Sequence, residues 1–163
     1  MEKDISLISE QEKQAFVTSL RLLSATPKSR KFLQKRLEER GFRSEVVVKV
    51  LNQLEKQGLM NDRSLAQSLF QTMVTQRPSG RKRIAFELER KGIDSALIHE
   101  LLQKYGPEEE RERAIHLARQ KLDRWQRLDQ MKRRKKTYDF LVRRGFDFSL
   151  SREVVNEVES GSD

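Results

Sequence analysis

Residues 27–42 read PKSRKFLQKRLEERGF, and the chain repeats this pattern twice: residues 78–93 read PSGRKRIAFELERKGI and residues 131–146 read MKRRKKTYDFLVRRGF. Each stretch closes with a basic residue, a glycine and an apolar residue, and the glycines (Gly41, Gly92 and Gly145) are 51 and 53 residues apart. A leucine stands four residues before each glycine, and an Arg-Lys pair begins eleven residues before it. Self-similarity at a period of about 50 residues is typical of a repeat protein.

Each copy predicts a helix that ends at its glycine. In the first copy the apolar residues Phe32, Leu33 and Leu37 recur at helical spacing. Glycine is the expected stop because it enters the left-handed region without a Cβ clash. Proline is tolerated at the first helical position, where its missing N–H has no intrahelical partner, so we expect the first two of these helices to begin at or near Pro27 and Pro78.

Two further helices complete each repeat. After each glycine, apolar residues recur five, nine and ten positions later, which predicts a second helix that begins near Ser44 in the first copy and Ser95 in the second. Ahead of each pair lies another helical pattern, at 15–24, 65–74 and 113–128. The expected segments are an N-terminal tail at 1–9, three-helix repeats at 10–57, 58–105 and 106–158, and a C-terminal tail at 159–163.

The composition agrees with an all-α fold of three tandem three-helix repeats. Hydrophobic and charged residues each make up 36% of the chain, which is too charged for a thick core, and aromatic residues are only 7%, which is scarce for a β-sandwich or barrel. A repeat of about 50 residues buries too little surface to be stable alone. We therefore expect neighbouring repeats to share cores and to build an elongated, curved body.

The positive charge is concentrated in one segment. The whole chain carries 34 basic and 25 acidic residues, a formal net charge of +9, while residues 111–144 alone hold 13 basic and 4 acidic residues. A localised positive field suits a polyanion, because each neutralised phosphate releases condensed counterions. The alternative is a solvated helix face whose charges only keep the protein in solution.

Several classes of chemistry lack the residues they need. The chain has no cysteine, its two histidines (His99 and His116) are far apart, and its single glycines form no phosphate-binding loop. It also has no apolar run long enough for a membrane span or a signal peptide. We therefore expect a cytoplasmic, monomeric protein that is not an enzyme and uses no metal or cofactor.

The segment from Gly58 to Ile93 resembles the signature of the RecX family. The residues that carry the resemblance are Gly58-Leu59-Met60-Asn61-Asp62, Leu65-Ala66, Gly80, Glu87-Leu88 and Lys91-Gly92-Ile93, with Arg143-Arg144-Gly145-Phe146 similar to the C-terminal repeat of that family. The resemblance covers about residues 10–158. Asn61 stands where the family usually has Asp, and Leu65 replaces a common Phe. Asp62 is retained, and we expect it to cap the helix that follows.

Resemblance to RecX implies a specific function. Proteins of this family bind the RecA recombinase, chiefly as the helical filament on single-stranded DNA. They suppress its ATP hydrolysis, strand exchange and co-protease activity, and so modulate DNA repair, recombination and the SOS response. A second hypothesis of a different class is a nonspecific DNA-binding helical-repeat protein that acts on nucleic acid directly through the 111–144 segment.

The candidate contact residues for either partner are basic. They comprise the repeated Arg-Lys pairs and the charges around the run at 132–136: Arg30, Lys31, Arg81, Lys82, Arg83, Arg124, Arg127, Lys132, Arg133, Arg134, Lys135 and Lys136. A basic residue at a helix start opposes the macrodipole, which favours either an external anion or an internal acidic partner from the preceding repeat. Trp125 and Tyr138 can stack on a base, although their helical spacing favours a place in the core.

Overall fold

The computed structural model describes the backbone of residues 2–160 and the side chains of residues 10–160. Within residues 2–160 the chain forms nine α-helices and no strand. In chain order they are α1 (Glu2–Ala25), α2 (Arg30–Glu38), α3 (Ser44–Lys56), α4 (Asp62–Gln71), α5 (Arg81–Arg90), α6 (Ser95–Lys104), α7 (Pro107–Arg124), α8 (Gln130–Arg143) and α9 (Phe148–Ser160). The first residue of the expected N-terminal tail and residues 161–163 of the expected C-terminal tail lie outside the described residues.

The helix order confirms the all-α prediction and the three three-helix repeats, which are α1–α3, α4–α6 and α7–α9. α4 continues into a π-helical segment, Thr72–Gln76, that the sequence did not predict. The chain divides into two compact units. The first unit comprises the residues up to Gln67 together with Arg90–Asp94, and the second comprises Ser68–Glu89 and the residues from Ser95 onward.

Each unit has its own apolar core. In the first unit α1, α2 and α3 pack against one another around a cluster of fully buried residues: Ala15, Leu33, Leu37, Val46, Val47, Val50, Leu51, Leu54 and Met60. In the second unit α7, α8 and α9 pack in the same way around another cluster: Ala114, Leu117, Ala118, Leu122, Leu141, Phe146, Val154, Val155 and Val158. These are the apolar positions that the helical spacing selects, so both cores follow from the sequence pattern.

The middle helix of each repeat ends in a left-handed glycine, as predicted. Gly41, Gly92 and Gly145 have φ angles of 81°, 80° and 83°. The N–H of the residue after the glycine donates to the carbonyl of the leucine four residues before it, at 3.3 Å from Phe42 and 3.2 Å from Phe146. This is the Schellman pattern of helix termination, and it explains the fixed leucine–glycine spacing.

The predicted helix starts are partly wrong. Pro27 and Pro78 both lie three residues before the first helical residue, because the hydroxyl of Ser29 accepts the Phe32 N–H and sets the start of α2 at Arg30. α8 begins one turn earlier than the repeat pattern suggests, since Asp129 caps it by accepting the Lys132 N–H at 3.0 Å. The side chain at 134 therefore lies in the second turn of its helix, not at the start.

In the first unit, the N-terminus of α2 receives two groups from distant parts of the chain. Ser29 Oγ donates to the Lys91 carbonyl at 2.6 Å, and the Arg30 N–H donates to Asp62 Oδ1 at 2.8 Å. Asp62 therefore caps α2, contrary to the expectation that it caps the next helix, which Asn61 caps through the Ser64 N–H. A Cβ on Gly92 would lie only 2.6 Å from Ser29 Oγ, so the glycine turn sits directly on this helix end.

In the second unit, the N-terminus of α5 is built in the same way. The Gly80 N–H donates to the Arg144 carbonyl at 2.9 Å, and the Arg81 N–H donates to Glu110 Oε1 at 2.8 Å. A Cβ on Gly80 would lie 2.3 Å from the backbone of Gly145. Each junction thus combines a glycine turn with one acidic side chain, and both groups come from the repeat that follows.

Replacing Gly145 by Ala should destabilise the protein much more than replacing Gly41 by Ala. Both glycines have φ near +80°, so both variants lose about 1–2 kcal/mol from the left-handed backbone. A Cβ on Gly145 would also lie 2.4 Å from the Cβ of Arg83, whereas a Cβ on Gly41 meets nothing within 4 Å. Urea unfolding followed by circular dichroism measures the difference, and equal losses in the two variants would show that the close approach costs nothing.

Glu110 should stabilise the protein more at low pH than at neutral pH. Burial raises the pKa of its carboxyl above the ordinary 4.5, against the opposing effect of the Arg81 N–H. The folded state then binds this proton more tightly than the unfolded state, so the stability that the proton contributes is present at low pH and is lost as pH rises through the raised pKa.

The variant Glu110→Gln keeps an acceptor oxygen but cannot titrate, so it serves as the reference for Glu110. The free energy of unfolding is measured for both proteins at pH 7.5 and at about pH 4.5. Relative to Glu110→Gln, the wild type should be more stable at the lower pH than at the higher one. Glu110→Ala, which loses the acceptor, should cost about 0.5–2 kcal/mol. If wild type instead lost ground at low pH, the Arg81 N–H would outweigh burial.

Candidate partner-binding surfaces

Two of the repeated arginines hold the last helix of their own repeat. Arg30 Nη1 lies 2.7 Å from Glu55 Oε2, and its Nη2 donates to Asn52 Oδ1 at 2.8 Å. In the third repeat, Arg134 bonds to Asn156, and its Nε lies 3.1 Å from a carboxylate oxygen of Glu159. The spacings along the chain are 22 and 25 residues in both cases. These two arginines therefore act as clamps between helices.

Arg81, the equivalent arginine of the second repeat, also connects its helix to the end of the last helix of the repeat, but through a different contact. Its guanidinium donates to the carbonyl of Tyr105, just beyond the end of α6. One alternative from the sequence was that each repeated arginine pairs with an acidic residue of the preceding repeat. That alternative is wrong, because the arginines contact residues of their own repeat. A further contact of Arg30, Arg81 or Arg134 with a partner molecule stays a prediction.

The N-terminal half of α5 exposes an aromatic surface. Lys82 Nζ lies 2.6 Å from Asp147 Oδ2 and 5.2 Å from the ring centre of Phe148, while Phe86 lies one helical turn further along α5. Phe86 is 61% exposed and Phe148 is 57% exposed. We call Lys82, Phe86 and Phe148 the α5 patch. The hydrogen bond from Lys82 holds the pKa of Asp147 well below its ordinary 3.8, so the pair is an ammonium–carboxylate couple with no net charge.

Arginines gather beside the α5 patch. Arg83 Nη1 donates to the Arg143 carbonyl at 2.9 Å, and the guanidinium of Arg144 lies 5.3 Å from the ring centre of Phe140. Burial, together with the like charges of Arg83 and Arg77, lowers the pKa of Arg144. The end of α8 therefore brings several cations near the start of α5.

The basic run of α8 divides between internal partners and solvent. Lys132 pairs with Asp129 at 3.0 Å, Arg133 lies 3.7 Å from Glu159, and Lys136 lies 5.6 Å from the ring centre of Trp125. Three other cations of this region have no ion-pair or hydrogen-bond partner for their side chains among residues 10–160: Arg124, Arg127 and Lys135. Arg119 and Arg143 of the same segment also lack such a partner in the described part of the chain, so the unpaired cations are not confined to the predicted contact residues.

The predicted contact residues are divided between the two units, and those of the second unit lie in two places. Arg30 and Lys31 belong to the first unit, and the others belong to the second. In the second unit, the group at 81–83 contacts the C-terminal end of α8, whereas the basic run lies in its N-terminal half. Lys132 and Arg143 are about 16 Å apart along the helix axis. The second unit therefore has two candidate surfaces, one near each end of α8.

The sequence reasoning did not single out Phe86 and Phe148. Phe86 lies two residues from both buried Ile84 and buried Leu88, so it falls off the apolar stripe of α5. That displacement is the signal that could have identified it as exposed. Phe148 is the first residue of α9, and its exposure depends on contacts that the local pattern does not reveal.

The two histidines lie apart on helix surfaces. His99 and His116 are both exposed, and each ring nitrogen lies 2.9 Å from the side-chain nitrogen of a glutamine one turn later. The described part of the chain contains no group of His, Asp and Glu side chains arranged to hold a metal ion. None of its helices combines the length and the apolar character needed to cross a membrane.

The comparisons with known proteins agree on one family. Sequence profiles of the first, second and third three-helix domains of RecX match residues 15–54, 61–102 and 108–155. Regulatory protein RecX of Chlorobium phaeobacteroides (strain BS1) is 33% identical over 149 residues, which is 90% of this chain and 95% of that protein. Regulatory protein RecX of Streptomyces coelicolor is 34% identical over 152 residues, or 92% of this chain and 81% of that protein.

Two solved structures share the fold. The crystal structure of RecX from Lactobacillus salivarius superposes with a TM-score of 0.77 at 22% identity, covering 93% of this chain and 98% of that one. A second crystal structure of regulatory protein RecX superposes with a TM-score of 0.74 at 27% identity, covering 96% of this chain and 78% of that one. The three-helix repeats found from the glycine spacing are therefore those of the RecX structures.

Proposed function

Because the chain belongs to the RecX family of regulatory proteins, we propose that it binds the RecA recombinase filament on single-stranded DNA and inhibits its activities. These activities are ATP hydrolysis, strand exchange and co-protease function, so the protein modulates DNA repair, recombination and the SOS response in the cytoplasm. The observation that carries the proposal is the match of all three domains of the family, in order, to the three repeats.

The α5 patch supports contact with a protein. Two phenylalanines that are more than half exposed lie around a Lys82–Asp147 pair with no net charge. Aromatic residues and arginine are the residue types enriched at protein–protein interfaces, and both are present here, because Arg83 and Arg144 lie beside the two phenylalanines. We assign this patch to the recombinase subunit.

The basic residues from the end of α7 to the first half of α8 support a second candidate function, nonspecific binding of DNA. Arg124, Arg127 and Lys135 are cations without an internal partner in the described region, and unpaired cations suit phosphate. If the protein inhibits the RecA filament, this surface approaches the DNA that the filament holds. If the protein is a nonspecific DNA-binding protein, this surface alone binds the DNA. Salt separates the two, because phosphate contacts weaken steeply with ionic strength while an apolar protein contact weakens less.

Phe86→Ala should weaken inhibition of the cognate RecA by about tenfold, since truncating an aromatic anchor of an interface costs on the order of 1–2 kcal/mol or more. The measurement is the single-strand-dependent ATPase of RecA during titration with each variant. Val48→Ala is the matched control, because Val48 is an apolar residue of the first unit that is 47% exposed. Both variants should unfold at the urea concentration of the wild type, because neither side chain is buried.

The shape of the same titration distinguishes modes of inhibition. Inhibition well below one copy per RecA subunit indicates capping or propagated disassembly, and inhibition near one copy per subunit indicates occupation along the filament groove. An unaffected ATPase together with salt-sensitive binding to bare DNA would contradict the first function and favour the second.

A further inference from the structure

A groove runs between α8 and α9 in the second unit. It has a volume of about 510 Å³. On α8 the lining residues Met131, Arg134, Lys135 and Tyr138 fall at i, i+3, i+4 and i+7, so they share one helix face. The groove therefore has an apolar, aromatic part and a cationic part, and it is separate from the α5 patch.

Two cations of the groove have no internal partner. Lys135 on α8 and Arg152 on α9 make no ion pair or side-chain hydrogen bond within residues 10–160, whereas Arg134 is held by Glu159. Uncompensated positive charges on both helices favour an occupant with negative charges on either side of its body. The surrounding segment strengthens this preference, because residues 111–144 hold 13 basic residues and 4 acidic ones.

The aromatic part of the groove suits a flat ring. Tyr138 is half-buried, packs against the core cluster of the second unit and also lines the groove. A ring held from behind by the core loses little conformational freedom when a second ring stacks on it. Met131, which is 81% exposed, adds a flexible apolar group to the same face of α8.

Two residues of the groove, Tyr138 and Arg152, are peculiar to the third repeat, whereas Lys135 has a lysine at the same place in both other repeats. Seven residues before the glycine, where this repeat has Tyr138, the other repeats have Gln34 and Ala85. Seven residues after the glycine, where this repeat has Arg152, they have Val48 and His99. Because the other repeats keep the same fold with different side chains at these positions, the fold does not require Tyr138 and Arg152, and both are free to serve a ligand.

We propose that the α8–α9 groove binds single-stranded nucleic acid, with an unpaired base stacked on Tyr138 and the flanking phosphates on Lys135 and Arg152. Alternating aromatic and cationic contacts are how proteins bind single strands without reading sequence. A base inside a duplex is already stacked and paired, so it cannot enter the groove. The site therefore prefers single strands, a property that a basic surface alone does not give.

This site rests on the second candidate function, DNA binding by the basic residues around α8, and does not depend on the proposed inhibition of RecA. The test uses the full chain and bare oligonucleotides, with no recombinase present. Fluorescence anisotropy of a labelled oligothymidine, and of a duplex of the same length, gives the affinities at several salt concentrations. Wild type should bind the single strand at least several-fold more tightly than the duplex.

Tyr138→Leu should weaken single-strand binding by about tenfold, while Tyr138→Phe should leave it unchanged, because stacking needs the ring and not the hydroxyl. Leucine preserves an apolar contact with the core, and urea unfolding checks that both variants are folded. If Tyr138→Leu binds like wild type although folded, or if the duplex binds as tightly as the single strand, the proposal is wrong.

The double variant Lys135→Ala with Arg152→Ala should reduce the slope of log affinity against log salt by about 1.4, the value for two lost phosphate contacts on a single strand. The matched control is the double variant Arg43→Ala with Lys56→Ala, because both are exposed cations of the first unit and neither is a candidate contact residue. A slope that falls equally in the control would contradict the proposal. So would competition by polyglutamate as strong as by an oligonucleotide of equal charge, since the groove would then recognise charge without a base.

Discussion

In the second unit, the glycine turn that ends α8 packs directly against the N-terminus of α5. The rest of the unit depends on this contact. A Cβ on Gly80 would meet the backbone of Gly145, and a Cβ on Gly145 would meet Arg83, while the Glu110 carboxylate completes the same helix end. This contact fixes the start of α5 against the end of α8. It thereby brings Lys82 to Asp147 and Phe148, which creates the α5 patch. The surface assigned to the protein partner is thus a product of the packing between repeats.

The third repeat departs from this design, and the departure makes room for its own surface. Twelve residues before the glycine, where the first two repeats have Ser29 and Gly80, the third has Arg133. α8 also begins a turn earlier and is capped by its own Asp129. A bulky side chain at this position leaves no room for a glycine turn of the kind that packs on Ser29 and Gly80. The adjacent face of α8 is therefore available for Lys135, Tyr138 and the groove against α9.

Local features of the fold could be predicted from the sequence, and long-range ones could not. The leucine–glycine spacing predicts the ends of α2, α5 and α8 because the terminating hydrogen bond joins residues five apart. The cap on Arg81 comes from Glu110, 29 residues away, and the spacing pattern contains no information about that pairing. For the same reason the sequence left open whether the repeated arginines meet an external anion or an internal partner, and it did not reveal that their guanidinium groups clamp neighbouring helices. Basic residues in a repeat indicate a shared position, and only the packed structure shows which of them are already occupied.

The most direct test of the account is amide hydrogen exchange of this chain bound to the RecA filament, compared with the chain bound to a bare single strand. The filament should slow exchange both in the peptide that spans α5 and in the peptides of α8 and α9, because the protein and the DNA each have their own surface. Bare DNA should slow exchange in the α8 and α9 peptides only. Identical protection in the two complexes would contradict the account, because the α5 patch would then have no part in binding the filament.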